Sequence, residues 1–289
     1  MATECYGPVK KCIYCGALPP PKLGKEHIIP LALGGRLILL EASCKACAEI
    51  TGRFEGLVLR GGLRGIKERL RYASRSKDRP KTLPLFVGDG GGTRLDVPVE
   101  DYPATIILPH IVGPTMVHFP GAATSPDNPW GYIPPTDWEK LINHHGVITF
   151  APSSMDLFSF ARMLAKIAHS WAVANIGLDD FVPFLPPLIL SNERCDFRRF
   201  MGTIQAMPEL PPDLVLNTDF TLLLADERIG EHEFVTAMIR LFGQFDSPFY
   251  RVVVGQRKEK FSGIIPPCEE ADDELKGWAF LRLQFTVNQ

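Results

Sequence analysis

Four of the seven cysteines fall into two CxxC pairs, and the stretch between the pairs contains an adjacent glutamate and histidine. Each CxxC pair can form a tight turn that presents two thiolates, so two pairs can close a tetrahedral Zn²⁺ site. This spacing favours a metal site over disulfides or four unligated thiols. We therefore expect a structural zinc bound by Cys12, Cys15, Cys44 and Cys47.

The glutamate and histidine are Glu26 and His27, in the segment KEHIIP. A carboxylate is a hard ligand suited to Mg²⁺ or Mn²⁺, and a neutral imidazole can take a proton from water near neutral pH. Together they have the chemistry needed for metal-assisted hydrolysis. A single histidine is more often structural, but its place between two zinc-binding turns favours the catalytic interpretation.

The succession CIYCG, EHIIP, LGG and SCKAC, followed by a helical pattern, resembles the zinc-stabilised HNH endonucleases of the ββα-metal (His-Me finger) group. The resemblance covers residues 10–60. It implies hydrolysis of DNA phosphodiesters, with Glu26 as a ligand of a catalytic Mg²⁺ or Mn²⁺ and His27 as the general base. A phage, mobile-element or antiviral-defence setting is an analogy from where such nucleases occur.

Two positions depart from the family pattern. The middle asparagine would fall near Leu39, and the third letter, an asparagine or histidine on the helix, falls on Ala48, whose methyl group cannot bind a metal. Thr51 and Glu55 share the helix face of Ala48 but lie roughly 4.5 and 10.5 Å further along the axis. These three residues form the expected helix side of the site. Thr51 would act through water, and Glu55 would need a shifted metal or a different helix start. Whether Ala48 is native or was introduced by engineering stays open.

The elements that must position these residues follow from the spacing of apolar residues. After Cys47 the pattern predicts a short helix, a break at Gly61 and Gly62, and a basic helix. The polar, basic segment Ser74–Pro84 is the predicted boundary between a zinc-stabilised domain, residues 1–82, and a second domain, residues 83–289. The stretch PLFVGDGGGTRLDVPV predicts a β-hairpin rather than a phosphate-binding loop, because it lacks GK[ST].

One strong helix is expected in the segment SSMDLFSFARMLAKIAHSWAVANIG. Its apolar stripe should face a core, and Arg162, Lys166 and His169 on the opposite side should face water. Later segments such as FTLLLAD, EFVTAMIRLFG and FYRVVVG are rich in strand-forming residues. The predicted fold class is α+β, with a zinc-stabilised ββα domain followed by a larger α+β domain whose sheet is mostly antiparallel.

Charge divides along the same boundary. Residues 1–82 contain 16 lysines and arginines against 7 aspartates and glutamates, a balance of +9, so the remainder carries −11 of the total of −2. The basic part is expected to bind nucleic acid, with DNA favoured over RNA, unless some of its charges pair with the acidic domain. The acidic domain would supply specificity, homo-oligomer contacts or a surface for a protein partner. The residues expected to contact the phosphate backbone are Arg53, Arg60, Arg64, Lys67 and Arg71.

Other features give weaker expectations. The chain lacks a long uncharged apolar run, so we expect a cytoplasmic protein without membrane contact. His144 and His145 are a weak candidate for a second metal site, because no carboxylate stands at a suitable interval. Cys5, Cys195 and Cys268 are expected to be ordinary thiols. The rival to a nuclease is a catalytically impaired, zinc-dependent module that only binds nucleic acid.

Overall fold

The N-terminal elements surround the two cysteine pairs. The structure is a computed structural model that describes residues 3–19, 22–72, 79–88, 92–117, 129–151, 154–204, 219–229, 231–261, 263–273, 280–281 and 285–286. Its first elements are β1 (Glu4–Tyr6), β2 (Gly24–His27), β3 (Leu37–Ser43), α1 (Lys45–Arg60) and α2 (Arg64–Arg69). Strand β3 is central in the sheet, with β1 parallel on one side and β2 antiparallel on the other. Strands β2 and β3 and helix α1 thus form a ββα unit, and the predicted break between the two helices is confirmed.

The middle of the chain alternates short strands and helices. Its elements are β4 (Thr82–Val87), β5 (Thr93–Pro98), β6 (Ile106–Leu108), β7 (Trp130–Tyr132), α3 (Pro135–His145), β8 (Thr149–Ala151), β9 (Met155–Asp156) and α4 (Leu157–Ile176). Strands β4 and β5 pair antiparallel, so the predicted hairpin is confirmed. Of the predicted boundary segment Ser74–Pro84, residues 74–78 lie outside the described residues.

The C-terminal part is built on a five-stranded sheet. Its elements are β10 (Phe181–Pro183), α5 (Pro186–Leu190), β11 (Met201–Ile204), β12 (Phe220–Ile229), β13 (His232–Leu241), β14 (Phe249–Arg257), β15 (Phe280–Leu281) and β16 (Phe285–Thr286). Strands β10, β14, β13 and β12 lie in that order, β11 also pairs with β14, and every pairing is antiparallel. Short strands β15 and β16 pair with β9 and β8. The chain is α+β, as the sequence predicts.

Helix α4 lies at the centre of the molecule. It begins where the side chain of Asp156 accepts a hydrogen bond from the backbone amide of Ser159 (2.7 Å), and it ends at Gly177 in the left-handed region (φ 84°). It packs against α1 on one side and against β13 and β14 on another, and 15 of its 20 residues are buried. The apolar core therefore runs continuously from the cysteine-bearing segment into the large sheet.

Candidate functional site

The four paired cysteines come together in space. Their Sγ atoms all lie within 4.8 Å of one another, and the Sγ atoms of Cys15 and Cys44 are 3.7 Å apart. Cys12, Cys44 and Cys47 are buried, and Cys15 is exposed. Burial raises the pKa values of the Cys12 and Cys47 thiols. Four sulfur donors in this arrangement fit a closed, structural Zn²⁺ site.

The cysteine cluster fixes the strands and the helix relative to each other. Cys44 is the N-cap of α1, and Cys47 lies in the first turn of that helix. Beside the first pair, the amide of Ile13 donates to the carbonyl of Ala42 in β3 (2.8 Å). The cluster therefore joins the loop before β2 to the junction of β3 and α1.

The LGG segment between β2 and β3 has a steric reason for its two glycines. Gly34 ends a short 3-10 helix, Leu31–Leu33, with a φ of 86°. A Cβ atom at Gly35 would lie 2.1 Å from the carbonyl oxygen of Ile29, so a side chain cannot be accommodated there. This close approach folds the loop back against the end of β2, where Glu26 and His27 lie.

Glu26 and His27 lie on β2 and pair with buried residues of β3. In the strand register Glu26 pairs with Leu39 and His27 with Ile38. Leu39 is 1 % exposed, so the position expected for the middle asparagine is occupied by a core side chain. Glu26 is buried and His27 is half-buried. Both line a cleft of about 290 Å³.

The helix side of the cleft contains the three residues expected there. Ala48, Thr51 and Glu55 of α1 all line the same cleft as Glu26 and His27. The hydroxyl of Thr51 donates to the carbonyl of Ala48 (3.2 Å), which leaves it bonded to the helix backbone. The side chain of Glu55 is 19 % exposed. The fold thus brings the helix-side residues and the glutamate-histidine pair to one place.

A comparison with protein families agrees with this arrangement. Residues 12–55 match the family model described as HNH endonuclease. Residues 12–55 and their four-cysteine cluster are consistent with a zinc-binding HNH domain, and this segment is called the HNH domain below. The matched segment begins at the first zinc-site cysteine and ends at Glu55, and the rest of the chain lies outside it. Neither the search of curated proteins nor that of solved structures found a match.

A lysine from outside the HNH domain enters its cleft. Lys166 of α4 is 1 % exposed, and its Nζ lies 2.9 Å from Oε1 of Glu26 and 2.9 Å from Oε1 of Glu55. The ammonium also donates to the carbonyl of His27. Burial disfavours its charge, but the two carboxylates outweigh burial, and the pKa of Lys166 is raised. The ammonium therefore occupies the point on which both carboxylates converge.

The polar side of α4 is not a solvent-facing side, which corrects the expectation for Arg162, Lys166 and His169. His169 is fully buried, and its Nε2 donates to the carbonyl of Ile13 beside the zinc site (2.7 Å). Arg162 donates to the carbonyl of Ile189 and lies over the ring of Phe54 in α1, 4.7 Å from its centroid. The residues predicted to face water instead attach α4 to the HNH domain and to α5.

Sequence reasoning missed Lys166, although a signal for it was present. Helix α4 carries alanine, leucine, isoleucine or phenylalanine on almost every side. A helix that is apolar all round is buried, and a lysine within it must find charged partners. Lys166 should therefore have been assigned to the core rather than to solvent.

The donor chemistry of the cleft fits a second cation. Two carboxylates that converge on one point are hard oxygen donors of the kind that Mg²⁺ and Mn²⁺ take. The carboxylate of Glu55 reaches the same ammonium as the carboxylate of Glu26, although Glu55 lies further along α1 than Ala48. The residues that would hold such an ion are Glu26 and Glu55, and Lys166 now lies between them.

The basic residues predicted for backbone contact differ in exposure. Arg53, Arg60 and Arg71 are exposed, whereas Arg64 and Lys67 are half-buried. Lys67 also pairs with Glu68 (3.0 Å), so part of its charge is neutralised within the chain. Beyond α2, a groove of about 670 Å³ is lined by charged residues that include Arg69, Arg71, Arg79 and Lys81. Basic charge therefore continues from the HNH domain into this groove.

Two other expectations change. Cys195 and Cys268 form a disulfide (Cα–Cα 5.6 Å) and are not free thiols, whereas exposed Cys5 is free. His144 and His145 do have a nearby carboxylate, because Asp101 accepts from both rings, at 3.3 and 3.0 Å. Hydrogen bonds from His145 and His144 lower the pKa of Asp101. Asp101 lies more than forty positions before these histidines, so a local sequence pattern could not reveal it.

Proposed function

We propose that the protein is a cytoplasmic, metal-dependent HNH endonuclease that hydrolyses DNA phosphodiester bonds. His27 is the general base, and Glu26 and Glu55 hold a catalytic Mg²⁺ or Mn²⁺. Within the part of the chain that the structure describes, no helix is long and apolar enough to cross a membrane. The observation that carries the proposal is the convergence of two carboxylates in the cleft that His27 lines.

The reaction assigned to this chain's residues is the activation of water. His27 accepts a proton from water, whose oxygen forms a bond to phosphorus while the bond from phosphorus to a sugar oxygen breaks. The released alkoxide takes a proton from solvent at the open cleft. A divalent ion held by the carboxylates would stabilise charge that develops on the phosphate. The zinc site has no part in these steps, because its four sulfur ligands leave no open position.

Substrate binding is assigned to the basic surface next to the cleft. Arg53 and Arg60 are exposed on α1, the helix that also carries Glu55. Contacts from such residues to phosphates are independent of sequence and weaken with salt. Residues 83–289, which are acidic overall, would supply specificity, a homo-oligomer contact or a surface for a protein partner. A phage, mobile-element or antiviral-defence setting is an analogy from where such nucleases occur.

The second candidate is a binding module without catalysis. It is favoured by Ala48, which offers no ligand where the family pattern has one, and by the lysine that fills the point between the carboxylates. It is disfavoured by His27, because a module that only binds has no need of a base in the cleft. The two candidates differ in one measurable property, which is cleavage.

The deciding experiment is cleavage of supercoiled plasmid in Mg²⁺ or Mn²⁺. The full chain is compared with His27→Ala and with His232→Ala, which removes an exposed histidine at the start of β13. We expect cleavage by the wild type and by His232→Ala, and a loss of at least ~100-fold in His27→Ala at unchanged zinc content. Salt-sensitive DNA binding without cleavage by any of the three proteins would select the binding module. Parallel arms with single-stranded DNA and RNA define the substrate class.

A further inference from the structure

Three charges meet at one point in the cleft. The ammonium of Lys166 lies between Glu26 and Glu55, 2.9 Å from a carboxylate oxygen of each. Two negative groups and one positive group leave the cluster with a charge of −1. The cluster is therefore neutralised only in part, and it still attracts cations.

The ammonium is held in place from several directions. Besides the two carboxylates, it donates to the carbonyl oxygen of His27 and lies 3.4 Å from that of Ile28. The ammonium donates to the two carbonyl oxygens and lies at ion-pair distance from the two carboxylates, where Oε1 of Glu55 has no hydrogen-bond partner among the described residues. Lys166 is 1 % exposed, so water does not compete for those donors. Contacts with residues of the HNH domain therefore fix the position of the Lys166 ammonium.

We propose that Lys166 is an internal counter-ion that competes with the divalent ion for Glu26 and Glu55. The inference rests on the proposed function, in which these two carboxylates bind metal. Mg²⁺ takes carboxylate oxygens at about 2.0–2.1 Å, so it cannot share the convergence point with an ammonium. Metal loading then requires the ammonium to withdraw, and the lysine lowers the affinity of the site for metal.

This competition gives the rest of the chain a means to control the nuclease. Lys166 lies in α4, outside the matched segment 12–55, and α4 packs against β13 and β14 of the large sheet. A partner or substrate that shifts α4 would move the ammonium relative to the carboxylates. Metal loading of the HNH domain is therefore coupled to the C-terminal part through one side chain.

The test is Mn²⁺ binding to the zinc-loaded full chain, measured by titration calorimetry. The variants are Lys166→Met, which removes the charge, and Lys166→Met with Glu55→Gln, which also removes one carboxylate. Lys258→Met, at an exposed lysine outside the cleft, is the control. We expect Lys166→Met to bind Mn²⁺ at least tenfold more tightly than wild type, the double variant to lose that gain, and the control to bind as wild type does.

The melting temperature, with and without Mn²⁺, shows whether Lys166→Met still folds. Lys166→Met leaves two carboxylates in a buried site, so its melting temperature should fall without metal and recover with Mn²⁺ by more than that of wild type. Lys166→Gln keeps hydrogen-bond donors but not the charge, and it should also gain affinity. Equal or weaker Mn²⁺ binding by Lys166→Gln, with no recovery of Lys166→Met by Mn²⁺, would overturn the proposal.

The outcomes separate this inference from the proposed function. Cleavage that depends on His27, without any gain of affinity when Lys166 is replaced, leaves the nuclease and removes the competition. Tight Mn²⁺ binding by Lys166→Met, with no cleavage by any variant, establishes the competition and removes the nuclease.

Discussion

Replacing Glu55 by glutamine should separate catalysis from stability. The cluster of Glu26, Glu55 and Lys166 carries one negative charge in excess. Removal of the Glu55 charge leaves a one-to-one pair between Lys166 and Glu26, with no uncompensated ion in the core. If Glu55 is a metal ligand, the same substitution removes half of the proposed metal-binding carboxylates.

The stability cost follows from the distances. At 2.9 Å and an effective dielectric constant of about 20, the attraction between Lys166 and Glu55 is about 6 kcal/mol. Because both carboxylate oxygens lie 2.9 Å from the same nitrogen, they are less than about 6 Å apart, and their repulsion is about 3 kcal/mol or more. Relief of that repulsion and of carboxylate desolvation reduces the net loss to about 1–2 kcal/mol.

The catalytic cost should be much larger in relative terms. Substitution of groups that merely support metal ligands costs 10–100-fold in affinity or activity, so loss of a ligand should cost at least ~100-fold in kcat/KM. Plasmid cleavage and urea unfolding would be measured on the same preparations. Glu49→Gln is the matched control, because Glu49 lies on the same helix but is 56 % exposed and contacts only Lys45 at 3.9 Å among the described ion pairs. We expect this control to change stability by less than about 0.5 kcal/mol and to cleave normally.

Two results would refute this reasoning. Wild-type cleavage by Glu55→Gln would show that Glu55 is not a ligand and that the site works from Glu26 alone. A loss of stability above about 4 kcal/mol would show that the cluster behaves as a tightly balanced ion pair and that the excess negative charge was wrongly assigned.

Three further predictions address the zinc site, the neighbouring helix and the missing ligand. Cys47→Ser should lose zinc and unfold the HNH domain, which metal analysis and circular dichroism would check, and retention of one zinc per chain would contradict it. Burial lowers the pKa of His169 to about 4 from its ordinary 6.5, so the unfolded state binds the extra proton and stability falls as pH drops from about 6.5 toward 4, by up to about 3 kcal/mol. His169→Phe should flatten that part of the unfolding profile relative to wild type, and since zinc loss at low pH affects both proteins, only their difference is read. Ala48→Asn should raise cleavage by no more than about tenfold, because Glu55 already supplies a carboxylate; activity that appears only in Ala48→Asn would show that Glu55 does not replace the family's helix ligand.

The acid sensitivity of His169 has a structural basis in its two ring nitrogens. Nε2 donates to the carbonyl of Ile13, while Nδ1 is buried and has no hydrogen-bond partner among the described residues. A proton added at Nδ1 would be a buried donor without an acceptor among the described residues. The ring of His169 is therefore neutral in the folded protein, and a neutral hydrogen bond attaches the cysteine-bearing loop to α4.

Local patterns in the sequence were sufficient for the frame of the site. Two CxxC pairs predicted the sulfur cluster, Gly61 and Gly62 predicted the break between α1 and α2, and the glycine-rich turn predicted the β4–β5 hairpin. Each of these features depends on residues close in sequence or on a spacing fixed by metal geometry. Such features are determined by local conformational preferences and ligand chemistry.

The features that were missed all depend on contacts between distant residues. Lys166 meets the backbone of His27 across 139 positions, and the cysteines of the disulfide are 73 apart. The estimate of the distance of Glu55 along the helix axis considered only the backbone, and it left out the length of the glutamate side chain and the ammonium of Lys166 that Glu55 meets. A helical pattern predicts which residues share a face, but whether that face is exposed to solvent depends on how the helix packs in the fold.

Packing also explains why the cysteine-bearing segment needs the rest of the chain for its stability. A zinc ion bound by the four cysteines would replace part of a core for the strands and loops, but α1 also buries Phe54 and Val58, two and three turns beyond Cys47 on the same helix face. Helix α4 covers α1 there, and Arg162 lies over the ring of Phe54. The same helix delivers Lys166 to the two carboxylates, so the cover that stabilises α1 is also the source of the charge in the cleft. A shift of α4 must therefore alter both the stability of the HNH domain and the electrostatics of its site. For this reason, metal affinity reports the influence of the C-terminal part on the site more directly than cleavage does.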